Sequence, residues 1–79
     1  MWFVYILKGI DGSSYVGCTI DIDRRVAEHN SKKVSFTRDK TPLILVTYIS
    51  FSDKYKAFEF EKYLKSGSGR AFLHKRLFY

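Results

Sequence analysis

The segment WFVYILKGIDGSSYVGCT, residues 2–19, decides the expected fold because it holds two strand patterns joined by a turn. Residues 2–7 and 15–19 are rich in β-branched and aromatic side chains, which favour β-strands. Between them, Asp11 and Gly12 are followed by two serines, a combination typical of turns. The chain is therefore expected to begin with a β-hairpin.

Two helices are expected further along the chain. Asp21 is a good N-cap for a helix over residues 22–30, and Ser52 or Asp53 can cap a second helix that runs to about Lys65. Gly67 and Gly69 are expected to end this second helix, since glycine adopts the backbone angles that a helix C-terminus needs. A short terminal helix is expected over residues 70–77.

A loop and a third strand separate the two longer helices. Residues 31–42 are polar and basic, which predicts a loop with room for one helical turn. Residues 43–51 are apolar enough to predict a strand that is buried and central in the sheet. The order β-β-α-β-α-α predicts an α+β fold, a three-stranded and mainly antiparallel sheet flanked by helices. We expect residues 1–79 to form a single domain.

Composition narrows the class of protein. Fourteen Lys and Arg against eight Asp and Glu give a net charge of +6, which favours a polyanionic partner such as nucleic acid, unless the surface is merely solvated. The one cysteine, Cys18, cannot form an internal disulfide, which fits a reducing compartment. The apolar run at residues 2–7 is too short to span a bilayer and lacks the features of a signal peptide. We expect a cytoplasmic protein with no membrane partner.

Helical geometry selects polar residues that lean toward the core. Arg25 and His29 border the apolar stripe that Ile22 begins, whereas Arg24 faces water. In the second long helix, Glu61 lies among the apolar residues, whereas Glu59 points away. A carboxylate on an apolar face costs free energy unless it is paired or binds a metal. One interpretation is a structural salt bridge between Arg25 and Glu61 beside a histidine that only packs.

Short motifs along nearly the whole chain resemble the GIY-YIG nuclease superfamily. Its two strand motifs appear here as Val4-Tyr5-Ile6 and Tyr15-Val16-Gly17. The arginine of the first helix, with a histidine four residues later, appears as Arg25 and His29.

The later part of the chain extends this resemblance, which is closest to small solitary members and to the N-terminal catalytic domain of the nucleotide-excision-repair excinuclease. Ala57, Glu61 and Lys65 fit the Ala-x-x-x-Glu-x-x-x-Lys spacing of the glutamate-bearing helix. Thr37 and Pro42 also sit where small solitary members tend to have them.

The resemblance implies a metal-dependent DNA endonuclease that hydrolyses phosphodiester bonds and leaves a 5′-phosphate and a 3′-hydroxyl. The implied catalytic residues are Tyr5, Tyr15, Arg25, His29 and Glu61. Glu61 would bind Mg²⁺ or Mn²⁺, and Arg25 would hold the scissile phosphate. Tyr5, Tyr15 and His29 stay open as the base that activates water. The excinuclease resemblance also suggests a role in DNA repair.

Basic residues fall into two groups that would contact DNA if both flank the site. The candidates are Lys32, Lys33, Arg38, Lys40, Lys65 and Arg70. Phe36 or Trp2 is a candidate for stacking on an unpaired base. Without a separate recognition domain, specificity is expected to be low or to depend on a homodimer or a partner protein. Single-stranded, double-stranded and branched DNA remain open.

Several positions depart from the family pattern. Val4 replaces a glycine, and Cys18 stands where the excision-repair members carry a lysine. The late asparagine of many members is missing, with Ser66, Ser68 or Arg70 as candidate substitutes. The residues without a motif are assigned to packing or surface, namely Tyr48, Tyr55, Tyr63, Tyr79 and His74. The alternatives to an enzyme are a non-catalytic nucleic-acid-binding module on the same fold and a structural domain whose charge is incidental.

Overall fold

The computed structural model describes residues 1–78, so Tyr79 and its assignment to packing or surface lie outside it. The strands are β1 (Trp2–Lys8), β2 (Ser14–Thr19) and β3 (Ile44–Phe51), and the helices are α1 (Ile22–Asn30), α2 (Lys54–Leu64) and α3 (Gly67–Phe72). A 3-10 turn covers Arg38–Lys40, and one π-helical turn, Leu73–Leu77, continues α3. The predicted α+β fold with an antiparallel three-stranded sheet is confirmed.

The hairpin forms where the sequence predicts it. Gly12 has a φ of 84°, a left-handed conformation that glycine adopts at little cost. The Asp11 carboxylate accepts hydrogen bonds from the Ser13 backbone N–H at 3.0 Å and from the Ser13 hydroxyl at 2.6 Å, which stabilises the turn. In the resulting register Tyr5 lies opposite Gly17.

The third strand is not central, and this expectation was wrong. The sheet order is β2-β1-β3, so β1 is the central strand and β3 is an edge. The reason is that β1 carries apolar side chains on both faces, Val4 and Ile6 on one and Tyr5 and Leu7 on the other, as successive strand residues alternate. In β3 the large side chains of Ile44 and Tyr48 are exposed.

The two faces of β1 support two apolar clusters. Val4 and Ile6 pack with Ala57 and Leu64 of α2 and with Leu73 beyond α3. Tyr5 and Leu7 pack on the opposite face, where α1 contributes Val26. Helices α1 and α2 therefore cover opposite faces of the sheet, and the free edge of β2 lies between them.

The longer helices begin at the predicted aspartates. Asp21 accepts a hydrogen bond from the backbone N–H of Arg24 at 3.1 Å, and Asp53, rather than Ser52, accepts one from Tyr55 at 2.8 Å. Each cap contributes about 1 kcal/mol to stability. Within residues 1–78, no helix has the length and apolar character needed to cross a membrane.

Gly67 and Gly69 lie inside α3, so their expected role as the exit of α2 was wrong. Ser66 caps α3, and its hydroxyl accepts from the backbone N–H of Gly69 at 3.3 Å. Gly69 is buried against the Tyr63 carbonyl, and a Cβ there would collide with that backbone. Glycine at this position allows α2 and α3 to approach closely. The terminal helix starts at residue 67 and not at Arg70 because Ser66 caps it.

Candidate active site

The candidate site is centred on a buried hydrogen bond between two side chains distant in sequence. The Tyr5 hydroxyl lies 3.0 Å from Nε2 of His29. Tyr5 is 1% exposed and His29 is fully buried. The Tyr5 ring passes over Gly17 on the neighbouring strand, where any larger side chain would displace it. The second glycine of the motif thus creates the space in which the tyrosine of the first motif lies.

Arg25 completes this cluster from the same helix as His29. Its guanidinium approaches the Tyr5 hydroxyl as a donor, and its Nη1 also pairs with Oε1 of Glu28 at 3.0 Å. The Arg25 side chain is 35% exposed, so it remains accessible from outside. The alternative salt bridge between Arg25 and Glu61 does not form, because each finds a partner on its own helix.

Tyr15 forms the outer wall of the cluster. Its ring centroid lies 4.9 Å from that of His29 and 6.4 Å from that of Tyr5. On the other side it contacts Phe36 from the loop, at 5.6 Å. Tyr15 is only partly buried, so of the two motif tyrosines it is the one that faces a surface cavity.

Glu61 lies on α2 and is linked to the cluster through its charge. Its side chain is 24% exposed, and Oε2 accepts a hydrogen bond from Nζ of Lys65 at 2.8 Å. Its negative charge acts on both Tyr5 and Cys18. The structure therefore brings Tyr5, Tyr15, Arg25 and His29 together directly and places Glu61 within electrostatic range of Tyr5.

Burial sets the protonation states of the central pair. Desolvation raises the pKa of Tyr5 to about 12, although the hydrogen bond from Arg25 opposes this rise. Desolvation, reinforced by the positive charge of Arg25, lowers the pKa of His29 below 6.5. At neutral pH Tyr5 keeps its proton and His29 is uncharged, so a proton donor faces an imidazole with one free lone pair.

Cys18 follows Gly17 on β2, but its thiol does not have the lowered pKa of a nucleophilic cysteine. Burial, and to a lesser degree the charge of Glu61, raises the pKa of its thiol. A thiol with a raised pKa stays protonated at neutral pH and is a poor nucleophile.

A divalent cation fits the donors that the site offers. Among residues 1–78 no group of three or more His, Cys, Asp or Glu side chains lies close enough to form a protein-built metal cage. Mg²⁺ is commonly bound by one or two carboxylates, with waters and substrate phosphate oxygens completing its shell. Glu61, partly exposed and within electrostatic range of Tyr5, is the carboxylate that could hold such an ion.

A cavity of about 410 Å³ adjoins Tyr15. Tyr15 and Val16 both line it, and because neighbouring strand residues point to opposite faces, the cavity spans the free edge of β2. Phe36 forms one wall and is 71% exposed. Trp2, the other candidate for base stacking, packs against Phe58 with ring centroids 5.3 Å apart.

The six candidate DNA-binding residues divide between the cavity and the loop. Lys65 and Arg70 line the cavity. Nζ of Lys40 lies 5.7 Å from the centroid of the Phe36 ring, so Lys40 stands at the same wall. Lys32, Lys33 and Arg38 are exposed on the loop, outside the cavity lining.

Comparison with known proteins identifies the family. A family model described as the GIY-YIG catalytic domain matches residues 1–75. The chain belongs to the GIY-YIG family. The matching model thus describes a catalytic domain of nuclease type.

Individual relatives of this GIY-YIG domain are small UPF0213 proteins. The one from Desulfotalea psychrophila is 41% identical over 66 residues, a match covering 81% of this chain and 60% of that protein. The one from Halobacterium salinarum is 41% identical over 66 residues, covering 82% and 86%. The solution NMR structure of a UPF0213 protein from Bacillus halodurans matches with a TM-score of 0.59 and 38% identity, covering 95% of this chain and 84% of that one. The match thus spans less than two thirds of the Desulfotalea protein.

Two residues next to the GIY-YIG motif positions were not assigned roles from the sequence. His74, assigned to the surface, lines the cavity, and its spacing of four residues from Arg70 on one helical segment is the signal that predicts this. Thr37 was noted only as part of the resemblance, yet its hydroxyl lies 2.7 Å from Nδ1 of His29. No local pattern predicts that contact, because a loop carries the threonine to the histidine.

Of the three candidates for the missing asparagine, Ser68 is exposed on α3 and does not line the cavity. The Ser66 hydroxyl donates to the Tyr63 carbonyl at 2.6 Å and caps α3, so it serves the helix junction. Arg70 is the candidate that lines the cavity. Asn30, the one asparagine, holds the backbone of Leu43 through two hydrogen bonds of 2.7 and 3.1 Å and is structural.

Proposed function

We propose that this protein is a metal-dependent endonuclease that hydrolyses DNA phosphodiester bonds with low sequence specificity. The observation that carries the proposal is the buried Tyr5–His29 hydrogen bond with Arg25 beside it. Placing a phenol, an imidazole and a guanidinium together against an apolar core opposes folding unless the groups satisfy one another. Such a cluster next to a cavity is a common mark of a catalytic site.

Proton transfer is assigned to the Tyr5–His29 pair. Between the two motif tyrosines, Tyr5 is the one whose hydroxyl lies within hydrogen-bond distance of the imidazole, 3.0 Å from Nε2 of His29. A water proton passes to the Tyr5 oxygen while the Tyr5 proton passes to Nε2 of His29, which becomes an imidazolium. The resulting hydroxide attacks phosphorus and the bond to the 3′ oxygen breaks. That oxygen takes a proton from a solvent water to give the 3′-hydroxyl opposite the 5′-phosphate, and the His29 imidazolium returns its proton to the hydroxide left in solvent.

Arg25 is assigned to the phosphate. Its planar donor fork suits two phosphoryl oxygens, and it stabilises the charge that grows on them during attack. The same guanidinium lies beside the Tyr5 hydroxyl, and its charge favours negative charge on that oxygen during proton transfer.

Glu61 is assigned to the metal. A bound Mg²⁺ or Mn²⁺ would supply Lewis-acid stabilisation of the phosphoryl oxygens and the leaving oxygen. The carboxylate of Glu61 keeps its negative charge near Tyr5, and Lys65 holds its side chain in place.

DNA binding is assigned to the cavity and to the basic residues around it. Lys65 and Arg70 contact phosphates from the α2–α3 side, and Lys40 does so beside Phe36. Lys32, Lys33 and Arg38 extend the positive surface along the loop. Recognition through phosphates positions nucleic acid without reading its sequence, and nicking or trimming of damaged DNA in repair is the role that such low specificity suits.

A cleavage panel tests the proposal. Supercoiled plasmid, single-stranded DNA and branched DNA are incubated with the protein in Mg²⁺, in Mn²⁺ and in EDTA, and ends are mapped. Cleavage with metal, none in EDTA, and 5′-phosphate ends are expected. Binding without cleavage under every condition would identify a nucleic-acid-binding module instead, and neither binding nor cleavage would identify a structural domain.

A matched pair of variants assigns the carboxylate. Glu61→Gln is expected to abolish cleavage and retain DNA binding. Glu59→Gln, two residues away, is the control, because Glu59 is exposed and pairs only loosely with Lys56 at 3.7 Å. Substantial metal-dependent cleavage by Glu61→Gln would contradict the assignment.

A further inference from the structure

The buried hydrogen bonds of the site extend one residue beyond the motif positions. Nδ1 of His29 lies 2.7 Å from the hydroxyl of Thr37, on the side of the ring opposite Tyr5. Thr37 is fully buried, and within the chain up to Phe78 its hydroxyl has His29 as its one hydrogen-bond partner. Because a hydroxyl can donate or accept, the groups on the other side of the ring determine which nitrogen carries the proton.

The hydrogen-bond donors and acceptors on the two sides of the His29 ring determine which nitrogen carries the imidazole proton. The Arg25 guanidinium lies beside the Tyr5 hydroxyl and carries only donors and a positive charge, so it repels the Tyr5 proton. The Tyr5 proton then needs an acceptor, and Nε2 of His29 is the one that lies at hydrogen-bond distance. If the Tyr5 proton points to Nε2, the single proton of the neutral ring belongs on Nδ1, where the Thr37 oxygen is the acceptor at hydrogen-bond distance.

We propose that Thr37 is a positioning residue for His29: its hydroxyl accepts the Nδ1 proton and so presents the Nε2 lone pair to Tyr5. This inference rests on the proposed function, in which His29 receives the Tyr5 proton. The hydrogen bond on one imidazole nitrogen determines the proton on the other.

The opposite tautomer shows why the threonine matters. With its proton on Nε2, His29 would donate to the Tyr5 oxygen and have no lone pair for the Tyr5 proton. With its proton on Nδ1, transfer from Tyr5 gives an imidazolium whose two N–H groups already face the Tyr5 and Thr37 oxygens. No side chain then has to move during the step, which lowers the cost of reorganisation.

The tautomer of His29 can be measured independently of DNA cleavage. Imidazole ¹⁵N NMR at neutral pH is recorded for the wild-type protein, for Thr37→Ser, which keeps the hydroxyl, and for Thr37→Val, which keeps the shape. We expect Nδ1 to be protonated in the first two and a population with protonated Nε2 in Thr37→Val. Protonation of Nε2 in the wild-type protein, or an unchanged tautomer in Thr37→Val, would overturn the inference.

Cleavage kinetics supply the second measurement. Thr37→Val is expected to lower kcat about 10- to 100-fold with little change in KM, the loss typical of removing the partner that orients a functional histidine. Thr37→Ser is expected to restore most of kcat. Full activity in a folded Thr37→Val would refute the role, and so would equal losses in both variants. If the tautomer responds as expected but neither the wild-type protein nor the variants cleave DNA, the positioning role of Thr37 is supported and the nuclease assignment is contradicted.

Discussion

The ring of Tyr5 occupies the space directly above Gly17, on the adjacent strand, where a Cβ would stand. The Tyr5 hydroxyl is the nearest atom to that position, and the ring carbons follow. A glycine opposite the tyrosine in the strand register is therefore a requirement of the site and not only of the strand.

Substituting Gly17 tests this relationship. Gly17→Ala is expected to push the Tyr5 ring away from His29, destabilising the fold by about 1–3 kcal/mol through overpacking. It should also reduce cleavage much more than such a loss of stability explains. Urea unfolding and initial cleavage rates measure the two effects. Gly67→Ala is the control, because nothing lies within 4 Å of a Cβ there. Equal activity of both variants would show that the Tyr5 position is not critical.

Stability should depend on pH through His29. Its folded pKa is lowered below 6.5 by burial and by Arg25, against a weak opposing effect of Glu28. Because the unfolded chain binds this proton first, the stabilisation is fully present above pH 6.5 and is lost as pH falls through the folded pKa. Glu28 and Asp11, whose pKa values are lowered from 4.5 and 3.8, contribute only at lower pH.

Unfolding experiments between about pH 7.5 and pH 5 isolate this window. The free energy of unfolding of the wild-type protein is expected to fall on acidification. His29→Asn should flatten that dependence, whereas His74→Asn, which changes an exposed histidine, should preserve it. A wild-type stability that does not change in this range would show that His29 is not held neutral by burial.

Tyr5 gives the opposite dependence at high pH. Its pKa is raised to about 12 from 10.0, so the folded state holds the proton more tightly than the unfolded chain. Stability from this group is present below pH 10 and lost as pH rises toward 12. Tyr5→Phe should remove that alkaline loss in urea unfolding. A variant with the same alkaline loss as the wild-type protein would contradict the burial of the hydroxyl.

Arg70 should contribute one phosphate contact. Replacing it with glutamine is expected to weaken DNA binding and to reduce the slope of log K against log salt by about one. Arg76→Gln is the control, because Arg76 is exposed and absent from the cavity lining. Binding titrations at several salt concentrations measure this slope for the wild-type protein and both variants. An identical slope in both variants would exclude the cavity as the phosphate path.

Phe36 should determine whether unpaired bases bind. Phe36→Ala is expected to weaken binding of single-stranded DNA by about 1–3 kcal/mol, the value of one stacked base, and to affect duplex DNA less. Tyr55→Ala is a matched control, since both aromatic residues are 71% exposed and neither supports the core. Equal losses on single-stranded and duplex DNA would indicate that Phe36 does not stack on a base.

Local features of the sequence determined the elements of this fold. The α1 bounds, 22–30, agree with the prediction because Asp21 and the apolar spacing act within one or two turns. The hairpin turn follows in the same way from Asp11 and Gly12. Helical periodicity also identified Arg25, His29 and Glu61 as inward-leaning residues, since it fixes which side chains share a face.

Contacts between distant segments decided the rest. The strands β1 and β3 are both apolar, and only the helices packed on each face of β1 make it the central strand. Helical spacing left two partners open for Arg25, namely Glu61 and a residue one turn away. It pairs with Glu28 on its own helix, because a local pair loses less conformational entropy than a distant one. The contact of Thr37 with His29 depends on the path of a polar loop, for which no periodic pattern exists, so only the folded chain brings the hydroxyl to the ring.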